Sequence, residues 1–273
     1  MKHPSLSTGQ FLGHYHALGV AAASLTLALG AWAAEITVPS DSITTIQEAV
    51  DIAAPGDTIS VLPGSYDSVF VMTPGLQFKA ATESGPVVVS DFFVLAEDVG
   101  IQGFTVSHGI MLIDSARAVL SHNSVSDGSA AIFVLDSPAV QINYNTTADS
   151  DIGILLSSSA DAVVDHNRVV AETVGIAMDD CSGARLNHNN ASGTNGSGIE
   201  IFGSSGGQIE YNSTAGAQGI YVSNSCGNTF AYNSAVGTLF GLYTTDDPAA
   251  PCNTYHKNRS ATASPSLQLW DAK

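Results

Sequence analysis

The chain has 273 residues, with 25 acidic against eight basic side chains and a formal charge of −17. That balance excludes the basic patch a nucleic-acid partner needs, and it repels polyanions unless a cation or a local site compensates. An acidic exterior also serves simply to keep an exported protein soluble.

In chain order, residues 1–33 read as a secretory signal. Lys2 gives a positive start, an apolar run extends from Ala17 to Ala31, and Ala31-Trp32-Ala33 supplies a small-x-small cleavage site. The run is too short for a transmembrane helix, and no later stretch spans a bilayer. The mature protein is therefore expected to be secreted or periplasmic, with no membrane contact after signal removal.

Residues 34–57 are expected to form an N-terminal cap, because an open stack of strands exposes edges that aggregate. Thr44–Ala53 has helical spacing with Ile46, Ala49, Val50 and Ala53 on one face, and Pro55-Gly56-Asp57 stops it. A strand follows at Thr58–Leu62, then Pro63-Gly64-Ser65-Tyr66. Residues 67–108 are less regular, marked by Leu76/Phe78 and Ile101/Phe104.

From there a period governs the chain. Asn123, Asn145, Asn167, Asn189, Asn212, Asn233 and Asn258 are separated by 22, 22, 22, 23, 21 and 25 residues. A fixed period of this size marks a solenoid whose repeats stack on one another. Three residues before each asparagine stands an apolar or aromatic residue: Leu120, Ile142, Val164, Leu186, Ile209, Phe230 and Tyr255. A second apolar column comprises Ile110, Ile132, Ile154, Ile176, Ile199, Ile220 and Leu242, often preceded by glycine.

Short alternating runs between Gly, Ser, Asn and Asp read as strands and tight turns. Three strands fit each repeat, as in Ile176–Asp179, Ala184–Asn187 and Asn190–Ser192. Stacked at about 4.8 Å, such coils make an all-β parallel β-helix over residues 58–273. The asparagines are expected to bond to one another inside the turns, where an unpaired polar group costs about 1–3 kcal/mol.

The same period serves as a ruler for the cysteines. Cys226 and Cys252 fall at nearly the same place on adjacent coils, within disulfide reach. Cys181 is placed in a comparable position two coils below Cys226 and is expected to be free. The tail from Ala261 is expected to fold over the last coil through Leu267, Leu269 and Trp270.

These columns, together with the helix, Pro-Gly-Asp, strand and Pro63-Gly64-Ser65-Tyr66 order, resemble the right-handed parallel β-helix repeat family. This is the pectate-lyase-like solenoid, with copper-maturation and carbohydrate-active branches. The resemblance implies that the strand carrying the Gly-Ile column floors a ligand groove. If the column isoleucine points inward, the outward columns are Met111, Phe133, Leu155, Ala177, Glu200, Tyr221, Tyr243 and Ile113, Leu135, Ser157, Asp179, Phe202, Ser223, Thr245.

The lower part of this face is apolar and offers a surface for self-association or for a covering segment. The upper part brings Asp179, Asp180 and Glu200 beside Phe202, Tyr221 and Tyr243, with Phe133 further down. Carboxylates about 5–9 Å apart suit glycosidic hydrolysis, with Asp179 and Glu200 sharing acid and base roles. Aromatic rings suit stacking on sugars.

Asp179-Asp180-Cys181 is similar to an element of polygalacturonase-type hydrolases, whose Asn-Thr-Asp, Gly-His-Gly and Arg-Ile-Lys elements are absent. Lyase chemistry lacks its cation here, because no Lys or Arg lies in the outward columns. Arg168 and Arg185 belong to other strands. The epimerase Asp-Pro-His element is missing too, since Ala249 follows Asp247-Pro248.

A further column, immediately before the asparagines, carries His122, Tyr144, His166, His188, Tyr211, Tyr232 and Lys257. His166 and His188 are candidates to share copper or zinc, with a third ligand to come from Asp165 or another neighbour. No cofactor is otherwise implied. Three readings stay open: a polysaccharide-binding protein that processes its ligand if it is an enzyme at all, a periplasmic metal-associated protein, and a non-catalytic structural or adhesion module.

Overall fold

The computed structural model of the chain describes residues 33–81, 83–245 and 252–262. The expected signal segment and the tail beyond residue 262 lie outside the described residues. No helix among the described residues is long and apolar enough to cross a membrane.

Their strands form two parallel sheets, of 11 and 14 strands. The first climbs in sequence order from Glu35–Val38 through Thr58–Val61, Gln77–Ala80, Gly100–Gln102 and Val119–Ser121 to Thr254–His256. Its register follows the asparagine period, with Leu120 beside Ile142, Ile142 beside Val164 and Val164 beside Leu186. All four are fully buried, and so are Ile132, Ile154, Ile176, Ile199 and Ile220 from the Gly-Ile column. The core is thus a set of parallel columns, each residue packed on its equivalent one coil away.

Three strand segments per coil are present, yet they make two sheets rather than three. Between Ser124–Ser126 and Ala130–Leu135, and again between Thr146–Ala148 and Ile152–Ser157, a left-handed aspartate breaks the chain: Asp127 at φ 63° and Asp149 at φ 55°. Higher up the corner is drawn out, so that Asn190–Phe202, Ser213–Ser223 and Ser234–Thr244 each run through it as one bent strand. Register shifts at Gly193/Ser197 and Gly216/Gln218 absorb the bend.

The repeat asparagines sit buried at the turn after the first sheet. Asn145 Oδ1 accepts from Asn123 N–H (3.0 Å) and Nδ2 (3.1 Å), and Asn167 Oδ1 does the same for Asn145 (2.8 and 3.1 Å). Each Nδ2 also donates to a carbonyl of the coil below, as Asn167 does to Ile142 (2.7 Å). The pattern repeats up to Asn258.

A second buried column is made of Ser115, Ser137, Ser159, Cys181, Ser204 and Ser225. Ser137 N–H donates to Ser159 Oγ (3.1 Å), and Cys181 N–H to Ser204 Oγ (2.9 Å). Cys181 therefore aligns with Ser204 and Ser225, one position before Cys226, which pairs with Ser205. Its expected equivalence to Cys226 is off by one residue. The asparagine ruler itself carries that offset, since Cys181 stands eight residues before Asn189 and Cys226 seven before Asn233. Burial pushes the free Cys181 thiol up from its ordinary pKa. Cys226 and Cys252 do form a disulfide, with Cα atoms 5.1 Å apart.

At the lower end the helix Ile46–Ile52 covers the first coils. Thr45 caps it by accepting from Glu48 N–H (3.1 Å), while Glu48 accepts from Thr45 N–H (3.0 Å), a reciprocal box that satisfies two otherwise unpaired donors. Ile46, Ala49 and Val50 bury their side chains under it.

Candidate functional site

Strand register fixes the outward face of the second sheet. Met111, Phe133, Leu155, Ala177, Glu200, Tyr221 and Tyr243 lie side by side in one column. Ile113, Leu135, Ser157, Asp179, Phe202 and Ser223 form the next. The apolar column continues below through Phe93 to Phe70, whose rings stack at 4.9 Å. Sequence reading missed these two because the asparagine ruler starts above them.

One small residue shapes the face. Ala177 stands between Leu155 and Glu200, so the column of long side chains drops there to a single methyl. The result is an open depression of about 650 Å³ lined by Leu155, Ala177, Asp179, Asp180, Phe202 and Asn224, among others. Asp179 and Asp180 are both exposed to it. Glu200 is half-buried beside it rather than in its lining, and sits diagonally from Asp179. Such diagonal neighbours lie roughly 7–8 Å apart.

From the lining of the depression, Phe202 tilts toward Tyr221 at 5.5 Å, and above it Tyr221 stacks on Tyr243 at 5.5 Å. Phe133 lies two rungs below Ala177 in the same column, outside the depression. Asp180 takes a left-handed turn conformation (φ 51°), as do Asp136, Ser158 and Asn224 at the same place in their coils. That column, spaced at about the repeat length, was the available signal for Asn224.

The other candidate lies on the turn after the first sheet. His122, Tyr144, His166, His188, Tyr211 and Tyr232 stack face to face with centroids 5.2, 4.9, 4.7, 5.0 and 4.8 Å apart. All six hold positive φ, between 52° and 57°. A left-handed backbone costs roughly 1–2 kcal/mol per residue and each stack returns about 0.5–1.5 kcal/mol, so the stacking offsets only part of the strain of the ridge. The sequence put these residues in one column; their stacking is a finding of the structure.

Within the ridge, Asp165 reaches both histidines: its Oδ2 is 2.9 Å from His166 Nδ1 and its Oδ1 is 4.0 Å from His188 Nδ1. Donor atoms of Asp165, His166 and His188 all fall within 4.8 Å of one another. Two imidazoles and a carboxylate suit copper or zinc, and a carboxylate on Nδ1 is how metal-bound imidazoles are commonly oriented. The rings are nearly parallel, at 7°, so their Nε2 lone pairs run side by side instead of converging.

Stacked parallel coils, two continuous sheets and a capping helix define a right-handed parallel β-helix protein. The profile of the family described as "Periplasmic copper-binding protein (NosD)" matches residues 81–259, and the chain belongs to that family. A disulfide fits the oxidising compartment this description names. No curated protein matches the chain in sequence.

Among solved structures, a complex of XylC with xylose is similar at 12% identity and TM-score 0.66, covering 82% of this chain and 70% of that one. A rhamnogalacturonan lyase aligns at 11% identity and TM-score 0.58, covering 82% and 87%. The periplasmic alginate epimerase AlgG aligns at 12% and 0.56, covering 84% of each. At these identities the likeness is one of fold.

Proposed function

We propose that the protein is exported to the periplasm and binds an extended, uncharged polysaccharide along the outward face of the second sheet. The observation that carries this reading is the depression over Ala177, open along the sheet, lined by Asp179, Asp180 and Phe202, with the Tyr221 and Tyr243 rings beyond it. Rings offer apolar faces to sugars, and carboxylates accept from sugar hydroxyls. Asp179, Asp180 and Glu200 on this face repel polyanions, which selects against a uronate polymer here. Solved proteins of this fold include a lyase and an epimerase of polysaccharides and a complex with xylose, so sugar polymers are the class to test first.

Affinity electrophoresis against neutral and acidic polysaccharides tests the reading. At least one neutral polymer is expected to retard the protein, and Phe202→Ala or Tyr221→Ala is expected to weaken retention about 10-fold. Ala177→Phe, which fills the depression, should weaken it at least as much. Retention that ignores all three substitutions, or no retention by any neutral polymer, refutes it. If products with new reducing ends appear, Asp179→Asn and Glu200→Gln should each abolish them. Carboxylates about 5–9 Å apart span both the retaining and the inverting separations, so the anomeric configuration of the product distinguishes the two mechanisms.

A second reading is favoured by the Asp165, His166 and His188 cluster and by the family's description as copper-binding. His166 and His188 would hold the ion, with Asp165 orienting the rings; copper would supply Lewis acidity and redox chemistry. One ion shared by both rings requires one of them to turn out of the stack. Calorimetry with copper and zinc should show saturable heat that His188→Ala lowers about 10-fold or more. Identical isotherms for the two proteins would remove the metal from consideration.

A further inference from the structure

The ring ridge stops abruptly at its lower end. Gly103 N–H donates to Ser121 O (3.1 Å), just as His122 N–H donates to Asn143 O (3.2 Å), so Gly103 holds the place of the ring one coil down. Ala80, which follows Lys79 as Gly103 follows Gln102, holds it two coils down, since Lys79 pairs with Gln102. A hydrogen and a methyl thus occupy positions where the next six coils carry rings.

The consequence is a slot. A cavity of about 400 Å³ is bounded by Lys79, Ala80, Gln102, Gly103 and His122. Among the described residues no ring stacks on the face of His122 opposite Tyr144. Two coil rises span about 10 Å, enough for one stacked ring and a substituent beyond it.

The polar groups at the slot are uncommitted. Neither the Lys79 ammonium nor the Gln102 amide makes a hydrogen bond or an ion pair with another described residue. Lys79 shares its lack of a counter-charge with Arg168, Arg185, Lys257 and Arg259, none of which meets a carboxylate among the described residues; what sets it apart is its place at the slot. Arg117, by contrast, takes both Glu97 (2.6 Å) and Asp98 (2.7 Å). Lys79 sits at the level of Ala80, below the space a stacked ring would fill, and Gln102 lies level with that ring.

We propose that this slot binds a single six-membered ring that bears a carboxylate and offers one apolar face, with that face stacked under His122 and the carboxylate on Lys79. The imidazole face supplies the stacking surface, and Gln102 bonds to ring hydroxyl or carbonyl groups. Two sources share this chemistry: a uronic-acid sugar and an aromatic acid. The slot lies on the turn of the first sheet, away from the face of the second, and does not depend on how that face is used.

Nuclear magnetic resonance of the His122 side chain tests the proposal with four probes: galacturonate, benzoate, methyl galactoside and acetate. Galacturonate or benzoate should shift the His122 resonances saturably, and the tighter of the two names the source. Methyl galactoside lacks the charge and acetate lacks the ring, so each should bind at least several-fold more weakly. Lys79→Met should weaken the ring acid about 3-fold, the worth of an exposed ion pair.

Gly103→Tyr places a covalent ring in the slot, on a left-handed backbone at φ 83° where Tyr144, Tyr211 and Tyr232 hold 54–57°, and should abolish binding. Circular dichroism confirms that this variant is folded, and Lys79→Met provides the test without touching the backbone. The proposal is overturned if neither ring acid shifts His122, if acetate binds as tightly as the ring acids, if Lys79→Met leaves the affinity unchanged, or if binding survives Gly103→Tyr.

Discussion

Asn167→Ala is expected to destabilise the protein by about 3–5 kcal/mol, seen as a lowered midpoint in urea unfolding. Asn167 is buried at 1% exposure in the middle of the amide column. Its Oδ1 accepts the Asn145 N–H (2.8 Å), and its Nδ2 donates to Ile142 O (2.7 Å) and Asp165 O (3.1 Å). Removing the amide strands a buried N–H and a buried carbonyl at once, at about 1–3 kcal/mol each, and leaves a void. Asn258→Ala should cost about 1–2 kcal/mol, because Asn258 is half-buried and ends the described column.

Asn167→Asp separates hydrogen bonding from shape. The introduced carboxyl keeps the volume, but as a carboxylate it has no protons to donate and meets carbonyl oxygens. Burial raises its folded pKa above the unfolded value near 3.9. The penalty is therefore small below about pH 4 and grows as pH rises through the folded pKa, whereas the Asn167→Ala penalty stays flat. Parallel pH profiles for the two variants would show that the amide protons do not matter.

The amide column was legible because a polar group inside a stack must find its partner at the same place in the next coil, which writes the coil length into the sequence. The register of Leu120, Ile142 and Val164 and the Cys226–Cys252 pair followed from the same ruler. It fails below Asn123, where Phe104 takes the asparagine's place and its N–H donates to Asn123 Oδ1 (3.0 Å). That is why Phe70, Phe93 and the gap under His122 escaped it.

Other features depend on neighbours rather than on period. The depression over Ala177 exists because Leu155 and Glu200 flank a methyl, and the stacking of six rings depends on a left-handed backbone that residue type alone does not dictate. The single bent strands at Asn190–Phe202 and above carry register shifts at Gly193/Ser197 and Gly216/Gln218 that the period does not encode.

Gly198→Ala is expected to cost the fold about 3 kcal/mol or more, although it adds only one methyl. Gly198 opens the Gly198-Ile199 pair, and a Cβ there would stand 2.6 Å from Thr214 Cβ, 2.8 Å from Ala191 O and 2.8 Å from Gly219 O. None of these is the end of a flexible side chain. Two are carbonyls fixed by the sheet, so the coils themselves must part, and overpacking of this kind typically costs 1–3 kcal/mol even where side chains can yield.

The crowding recurs along the column: at Gly175 the nearest atom is Gly198 O (2.5 Å), and at Gly219 it is Gly241 O. Each glycine thus lets the next coil approach, and Ile176, Ile199 and Ile220 reach full burial beside it. The outward residues Ala177, Glu200 and Tyr221 follow those isoleucines, so the substitution also tests the face. A variant whose coils part at Gly198 should lose polysaccharide retention along with stability, while Gly206→Ala, at a left-handed turn with no atom nearer than 3.9 Å, should cost only its backbone strain of about 1–2 kcal/mol. Thermal unfolding of the two variants side by side decides it: equal losses would mean that close approach of the coils is not what the Gly-Ile motif supplies.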